Sequence, residues 1–111
     1  AYIADLLASD PFVAIVAREA GAVIGALTAY ELKKFARPES EIYIYDLAVA
    51  PSHRRQGVAT ALIARTKAIA RQRGASVIFV QADQGDAPPI ALYSRLGTRA
   101  DVLHFDISPD P

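Results

Sequence analysis

The chain has 111 residues, 52% of them apolar, with 12 basic and 12 acidic side chains and so no formal net charge. That length fits one domain with a real core, and the absent basic excess argues against a nucleic-acid binder. There is no cysteine, which excludes disulfides, thiolate metal sites and a cysteine nucleophile, and neither a signal peptide nor an apolar run of about 18 residues is visible. The expectation is a soluble, cytoplasmic protein that does not engage a membrane.

In chain order, Tyr2 to Ala8 reads as the end of a helix, with Tyr2, Ile3, Leu6 and Leu7 at helical spacing. Asp10-Pro11 breaks it. Phe12 to Arg18 and Val23 to Leu32 are β-rich, and the short Glu19-Ala20-Gly21-Ala22 link makes them a hairpin. Lys33 to Ser40 is a polar loop. Glu41 to Val49 is a third strand, apolar on both faces except at Glu41 and Asp46, which predicts a central position. After the turn Ala50-Pro51-Ser52-His53, an amphipathic helix is expected from about Gln56 to Arg73, with Val58, Leu62, Ile63, Thr66, Ile69 and Ala70 on one face and Gly74 as its stop. Ser76 to Ala82 reads as a buried strand and Asp83 to Pro89 as a loop. Ile90 to Leu96 is a short helix opened by Pro88-Pro89 and ended by Gly97, and Val102 to Ile107 a final strand. The order ββ-β-α-β-α-β predicts an α/β fold, with a mixed sheet and helices packed on it. No internal repeat or domain boundary is visible, so residues 1–111 are expected to form a single domain.

The chemistry concentrates where the third strand feeds the long helix. A strand, a short basic turn with a glycine and a helix N-terminus form a cradle for a pyrophosphate, because the free N–H groups of a first helical turn and the helix dipole favour an anion. Gln56, Gly57, Val58, Ala59 and Thr60 supply those amides. Gly57 and Ala59 leave room for close approach, and Arg54 and Arg55 add charge. The glycine is not followed by the Gly-Lys-Ser/Thr of a nucleotide-triphosphate loop, and G-x-G-x-x-G is absent. Asp46 stands in an otherwise apolar strand, where a buried lone carboxylate is costly and calls for a partner, either a substrate ammonium or an arginine. His53 and His104 have no carboxylate at ligand spacing, so no metal site is expected.

Two segments, LAVAPSHRRQGVATALI (Leu47–Ile63) and IALYSRLG (Ile90–Gly97), resemble the two signature motifs of the GNAT (GCN5-related N-acetyltransferase) superfamily, in the right order and with the expected strand between them. The likeness extends over Phe12 to Ile107. SEIYIYDLAV, HRRQGVATALI, VIFVQAD with the following Gly85-Asp86, and LHFDI look more closely like the aminoglycoside 3-N-acetyltransferases of type I. The resemblance implies the acyl-CoA N-acyltransferase fold. Its largely antiparallel sheet has a V-shaped splay between two parallel strands and helices on both faces; the family's usual N-terminal strand and helix are not matched here.

It also implies acetyl transfer from acetyl-CoA, by direct attack and without a metal, to an amine of a polycationic aminoglycoside, conferring antibiotic resistance. The pantetheine arm would pair with Leu47, Ala48 and Val49, whose N–H groups could polarise the thioester carbonyl. Tyr93 occupies the matched position of the general acid. Some relatives carry a glutamate where this chain has Tyr45, which leaves Asp46 three open roles: direct base, base through a water, or substrate ligand. Glu41, Asp83, Asp86 and Asp106 would help line the amine side, with Asp86 replacing an asparagine common in the superfamily. Other acceptors consistent with the same frame are a polyamine, a small metabolite amine or a protein N-terminus, and a non-catalytic acetyl-CoA sensor is the rival class. A homodimer is the expected assembly.

Overall fold

The computed structural model describes residues 1–111, whose contacts divide into two units, Ala1–Gln81 and Ala82–Pro111. In the first, α1 (Tyr2–Ala8) lies against β1 (Phe12–Glu19), which turns through Ala20-Gly21 into β2 (Ala22–Lys33). β3 (Ser40–Val49) follows, then a single 3-10 turn (Pro51–His53), α2 (Val58–Arg73) and β4 (Ala75–Val80). The four strands form one mixed sheet in the order β1-β2-β3-β4: the first two pairings are antiparallel and β3–β4 is parallel. β3 is therefore internal, as its mostly apolar run predicts. No helix is long and apolar enough to cross a membrane.

α2 touches all four strands. Its buried stripe of Leu62, Ile63, Thr66 and Ala70 meets Val13, Leu27, Ala29, Ile42 and Ile44, and this is the core. Thr66 is tolerated there because its hydroxyl donates to the Leu62 carbonyl at 2.9 Å. The helix approaches closely because β2 has a glycine beneath it. A Cβ on Gly25 would sit 2.8 Å from Val58 Cγ1. The opposite face of the sheet carries a row of rings across all four strands, Phe12, Tyr30, Tyr43 and Phe79, each opposite the next in register. Tyr43 stacks on Phe79 with centroids 4.5 Å apart.

Two irregularities in β3 shape the site. Ala29 pairs with Ile44 but Thr28 with Asp46, so Tyr45 is an extra, bulged residue. And β4 pairs only with Ser40 to Ile44, so from Tyr45 to Val49 β3 is bonded to β2 alone and its other edge is open. The parallel pair thus parts where the resemblance calls for a splay.

Several expectations are corrected. Ser76 to Ala82 is not a buried strand: β4 runs Ala75–Val80 at the sheet edge, with Val77 47% exposed. An edge strand has one flank without a neighbour, and its apolar composition alone does not reveal that. α2 begins at Val58 rather than Gln56, because Gly57 has φ +80°, outside the helical region. In the second unit α3 (Ala87–Leu96) starts before Ile90. Its prolines sit within the first turn, where their missing N–H groups are not needed. Val102 to Ile107 forms no strand, and Val102, Leu103, Phe105 and Ile107 are exposed. The segment has β composition, yet it belongs to no ladder, and a lone extended segment has no backbone partners.

Candidate active site

The bulge decides which way Asp46 points. Tyr43, the bulged Tyr45 and Asp46 all lie on the ring-bearing face, while Leu47, opposite Leu27, takes the face beneath α2. Asp46 is therefore exposed rather than buried, which corrects the expectation for it. Its partner is neither arginine nor lysine: the Thr28 hydroxyl donates to Asp46 Oδ2 at 2.5 Å. Tyr45 stands edge-on to Tyr30 and Tyr43, at 5.7 and 5.5 Å, and keeps 63% of its surface open. The Tyr43 hydroxyl donates to Gln81 Oε1 at 2.8 Å.

Past Asp46, Leu47, Ala48 and Val49 present the open edge of β3. The chain then turns through Pro51–His53 into the cradle. Arg54 Nε donates to the Val49 carbonyl at 3.3 Å, and the Gln56 side-chain Nε2 to the Ser52 carbonyl at 3.4 Å. These bonds tie the basic turn to the end of β3. Arg55 has φ +63° and Gly57 φ +80°. Alternation into the left-handed region turns successive N–H groups toward one concavity, a geometry that suits anions. Gly57 is the residue that adopts it freely, and nothing stands within 4 Å of the Cβ it lacks. No side chain caps α2 and its first turn holds no acid. The amides of Val58, Ala59 and Thr60 are thus available, with the exposed Arg54 and Arg55 guanidinium groups unpaired by any carboxylate. His53 anchors the turn from below. Its Nδ1 lies 2.8 Å from Ser52 Oγ and its Nε2 3.3 Å from Glu19 of the β1–β2 hairpin.

Of the remaining acids, Glu41 stands at the far end of β3 from Asp46, five residues or ~16 Å along the strand, and pairs with Lys34 at 3.6 Å. The others belong to the second unit. There Asp83 and Asp86 close a turn, with Asp86 N–H bonded to the Asp83 carbonyl at 3.2 Å, and both are exposed. Asp106 lies 2.8 Å from His104 Nε2. Tyr93 is half-buried on α3, and burial pushes its phenol above the ordinary value. The hydroxyl stays protonated at neutral pH and can donate a proton.

Three residues of this region escape sequence reasoning. Thr28 and the bulge at Tyr45 depend on cross-strand register. Gly25 carried a readable signal, because an isolated glycine in a strand marks close approach by another element.

An open parallel edge feeding directly into an uncapped helix N-terminus is the frame of the acyl-CoA N-acyltransferase fold. Residues 1–98 match the acetyltransferase (GNAT) family, and the chain belongs to that family, whose members use acetyl-CoA.

Among solved structures, it superposes on an aminoglycoside acetyltransferase from an uncultured soil metagenomic sample with a TM-score of 0.94 and 58% identity, over 98% of this chain and 73% of that one. A second soil metagenomic aminoglycoside acetyltransferase, solved in complex with sisomicin, gives 0.93 and 30% over the same shares. Streptothricin acetyltransferase of Streptomyces lavendulae is 30% identical over 73 residues, 66% of this chain and 39% of that protein. The chain spans about two fifths of the length of the curated relatives it matches.

Proposed function

We propose that the chain acts as an N-acetyltransferase that moves the acetyl group of acetyl-CoA to an amine of an aminoglycoside, the 3-amino group by its likeness to the type I 3-N-acetyltransferases. The observation that carries this reading is the continuity of two features on one segment: the unpaired edge of β3 from Tyr45 to Val49, and the uncapped, acid-free start of α2 one short turn later. The edge offers backbone groups to the pantetheine arm. The amides of Gln56 to Thr60, with Arg54 and Arg55, suit a diphosphate. The two aminoglycoside acetyltransferase relatives, one of them holding sisomicin, support the acceptor class.

The chemistry is direct. The amine nitrogen attacks the thioester carbonyl, a C–N bond forms and the C–S bond breaks. Backbone N–H groups of Leu47 to Val49 meet the charge that develops on oxygen. Asp46 holds the amine and takes up the proton the nitrogen sheds, directly or through water. The Tyr93 phenol gives a proton to the departing thiolate; the proton taken from nitrogen leaves to solvent and the phenolate is reprotonated from solvent, so none is gained or lost overall. The products are an amide and free coenzyme A. Asp83, Asp86, Glu41 and Asp106 are the candidate carboxylates for the acceptor's other ammonium groups.

The test is thiol release from acetyl-CoA with sisomicin, streptothricin, spermidine and a short peptide as acceptors, followed by NMR of the product. Highest kcat/KM with sisomicin and acetylation at the 3-amino group is the expected result. Turnover of the peptide or spermidine alone, or thiol release with none of the four, overturns it.

A further inference from the structure

We propose that Thr28 is a positioning residue for Asp46, fixing the carboxylate so that one oxygen is reserved for the acceptor's ammonium group. The proposal rests on the reading of Asp46 as the amine's ligand.

Strand parity sets the geometry. If the register set by the Ala29–Ile44 pair ran on without interruption, Tyr45 would lie opposite Thr28 and Asp46 opposite Leu27, beneath α2. An unpartnered carboxylate there costs several kcal/mol. The extra residue at Tyr45 moves Leu47 into that buried place and brings Asp46 opposite Thr28 on the ring-bearing face. Asp46 and Thr28 are thus neighbours only because of the bulge.

Their contact is specific. A hydroxyl-to-carboxylate bond of 2.5 Å has the short length of a charge-assisted pair. Threonine is β-branched and restricted at χ1, so the donor holds its direction without ordering a long side chain. Oδ2 is taken, and no protein donor bonds to Oδ1. Nor does Asp46 form an ion pair with any Lys, Arg or His of the chain, although seven such pairs occur elsewhere in it. Asp46 is thus free to meet a cation that arrives with the substrate. A carboxylate already held in one orientation loses less freedom when that cation binds, which favours capture of a compact, rigid amine.

The experiment compares Thr28→Val, Thr28→Ser, Asp46→Asn and the Thr28→Val/Asp46→Asn double variant, with sisomicin and acetyl-CoA varied separately. Thr28→Val should lower kcat/KM for the amine about 10-fold and leave the KM for acetyl-CoA unchanged. Thr28→Ser should recover most of the loss, and the double variant should be no worse than Asp46→Asn alone, because both changes remove one interaction. Should Thr28→Val fold poorly, Thr28→Ala against Thr28→Ser makes the same comparison. Equal losses toward both substrates, failed rescue by serine or additive losses in the double variant overturn the proposal. If Asp46→Asn cripples amine turnover while Thr28→Val does not, only the role of Thr28 falls. If Asp46→Asn leaves amine turnover intact, the reading of Asp46 fails and Thr28 with it.

Discussion

Gly25→Ala tests how the cradle is held against the sheet. The added Cβ would lie 2.8 Å from Val58 Cγ1, 3.3 Å from Leu62 Cδ1 and 3.3 Å from the Ala48 carbonyl oxygen. Carbon atoms rest about 3.5–4.0 Å apart, so Val58 must withdraw by roughly 1 Å. It has no easy way to do so: a valine on a helix has essentially one rotamer, and the oxygen belongs to the backbone of β3. The first turn of α2 must lift instead. Overpacking of this kind costs about 1–3 kcal/mol, and replacing a strand glycine returns about 0.5–1 kcal/mol through the unfolded chain. The expected net loss is about 1–2 kcal/mol, read as a lower urea midpoint at unchanged m-value. Because the lifted turn carries the amides of Val58 to Thr60, the KM for acetyl-CoA should rise several-fold, and Gly25→Ala combined with Val58→Ala should recover much of both losses. Wild-type stability together with an unchanged KM would show that the close approach at Gly25 does not hold the cradle.

Other variants separate charge, stability and chemistry. Thr60→Glu places an acid in the first turn of α2, where the dipole favours it; its melting temperature should hold or rise while the KM for acetyl-CoA rises about 10-fold, and an unchanged KM would remove the anion from that helix end. Arg73 donates to Glu31 at 2.9 Å and to the Asp10 carbonyl at 2.8 Å, and the Glu31 side chain is only 10% exposed. Arg73→Ala should cost about 2–3 kcal/mol in urea unfolding at pH 7. The Ser40 hydroxyl, and then Arg73, hold the Glu31 carboxyl below its ordinary value of 4.5. The stability this group contributes is therefore complete above that value and lost as pH falls through the lowered one, so the gap between wild type and Arg73→Ala should narrow between pH 7 and pH 3. Tyr93→Phe should lower kcat about 100-fold with little change in the KM for acetyl-CoA, and a loss under about twofold would take Tyr93 out of the acid role.

What could be read from the chain alone follows the range of the interactions involved. The turn into α2 was legible because it is local: Arg54 to Thr60 are contiguous, and a glycine ahead of an amphipathic run announces a helix start whatever the rest of the fold does. The central place of β3 was legible because an internal strand leaves a run that is apolar at all but a few positions. Asp46 was conspicuous in that run, but its direction was not, because each residue inserted into a strand exchanges its two faces. A bulge at a tyrosine among tyrosines and isoleucines leaves no mark on the pattern. Its consequences, an exposed Asp46 and a bond to a threonine 18 residues away, appear only once β2 and β3 are in register. Val102 to Ile107 fails for a related reason, since alternation specifies which faces a strand would bury but not the neighbour that makes it a strand. Pairing across strands thus separates the two halves of the candidate site. The half that would grip the diphosphate is written in one short segment, whereas the half that would hold the amine depends on one extra residue in β3 and on the hydroxyl that this residue brings within reach.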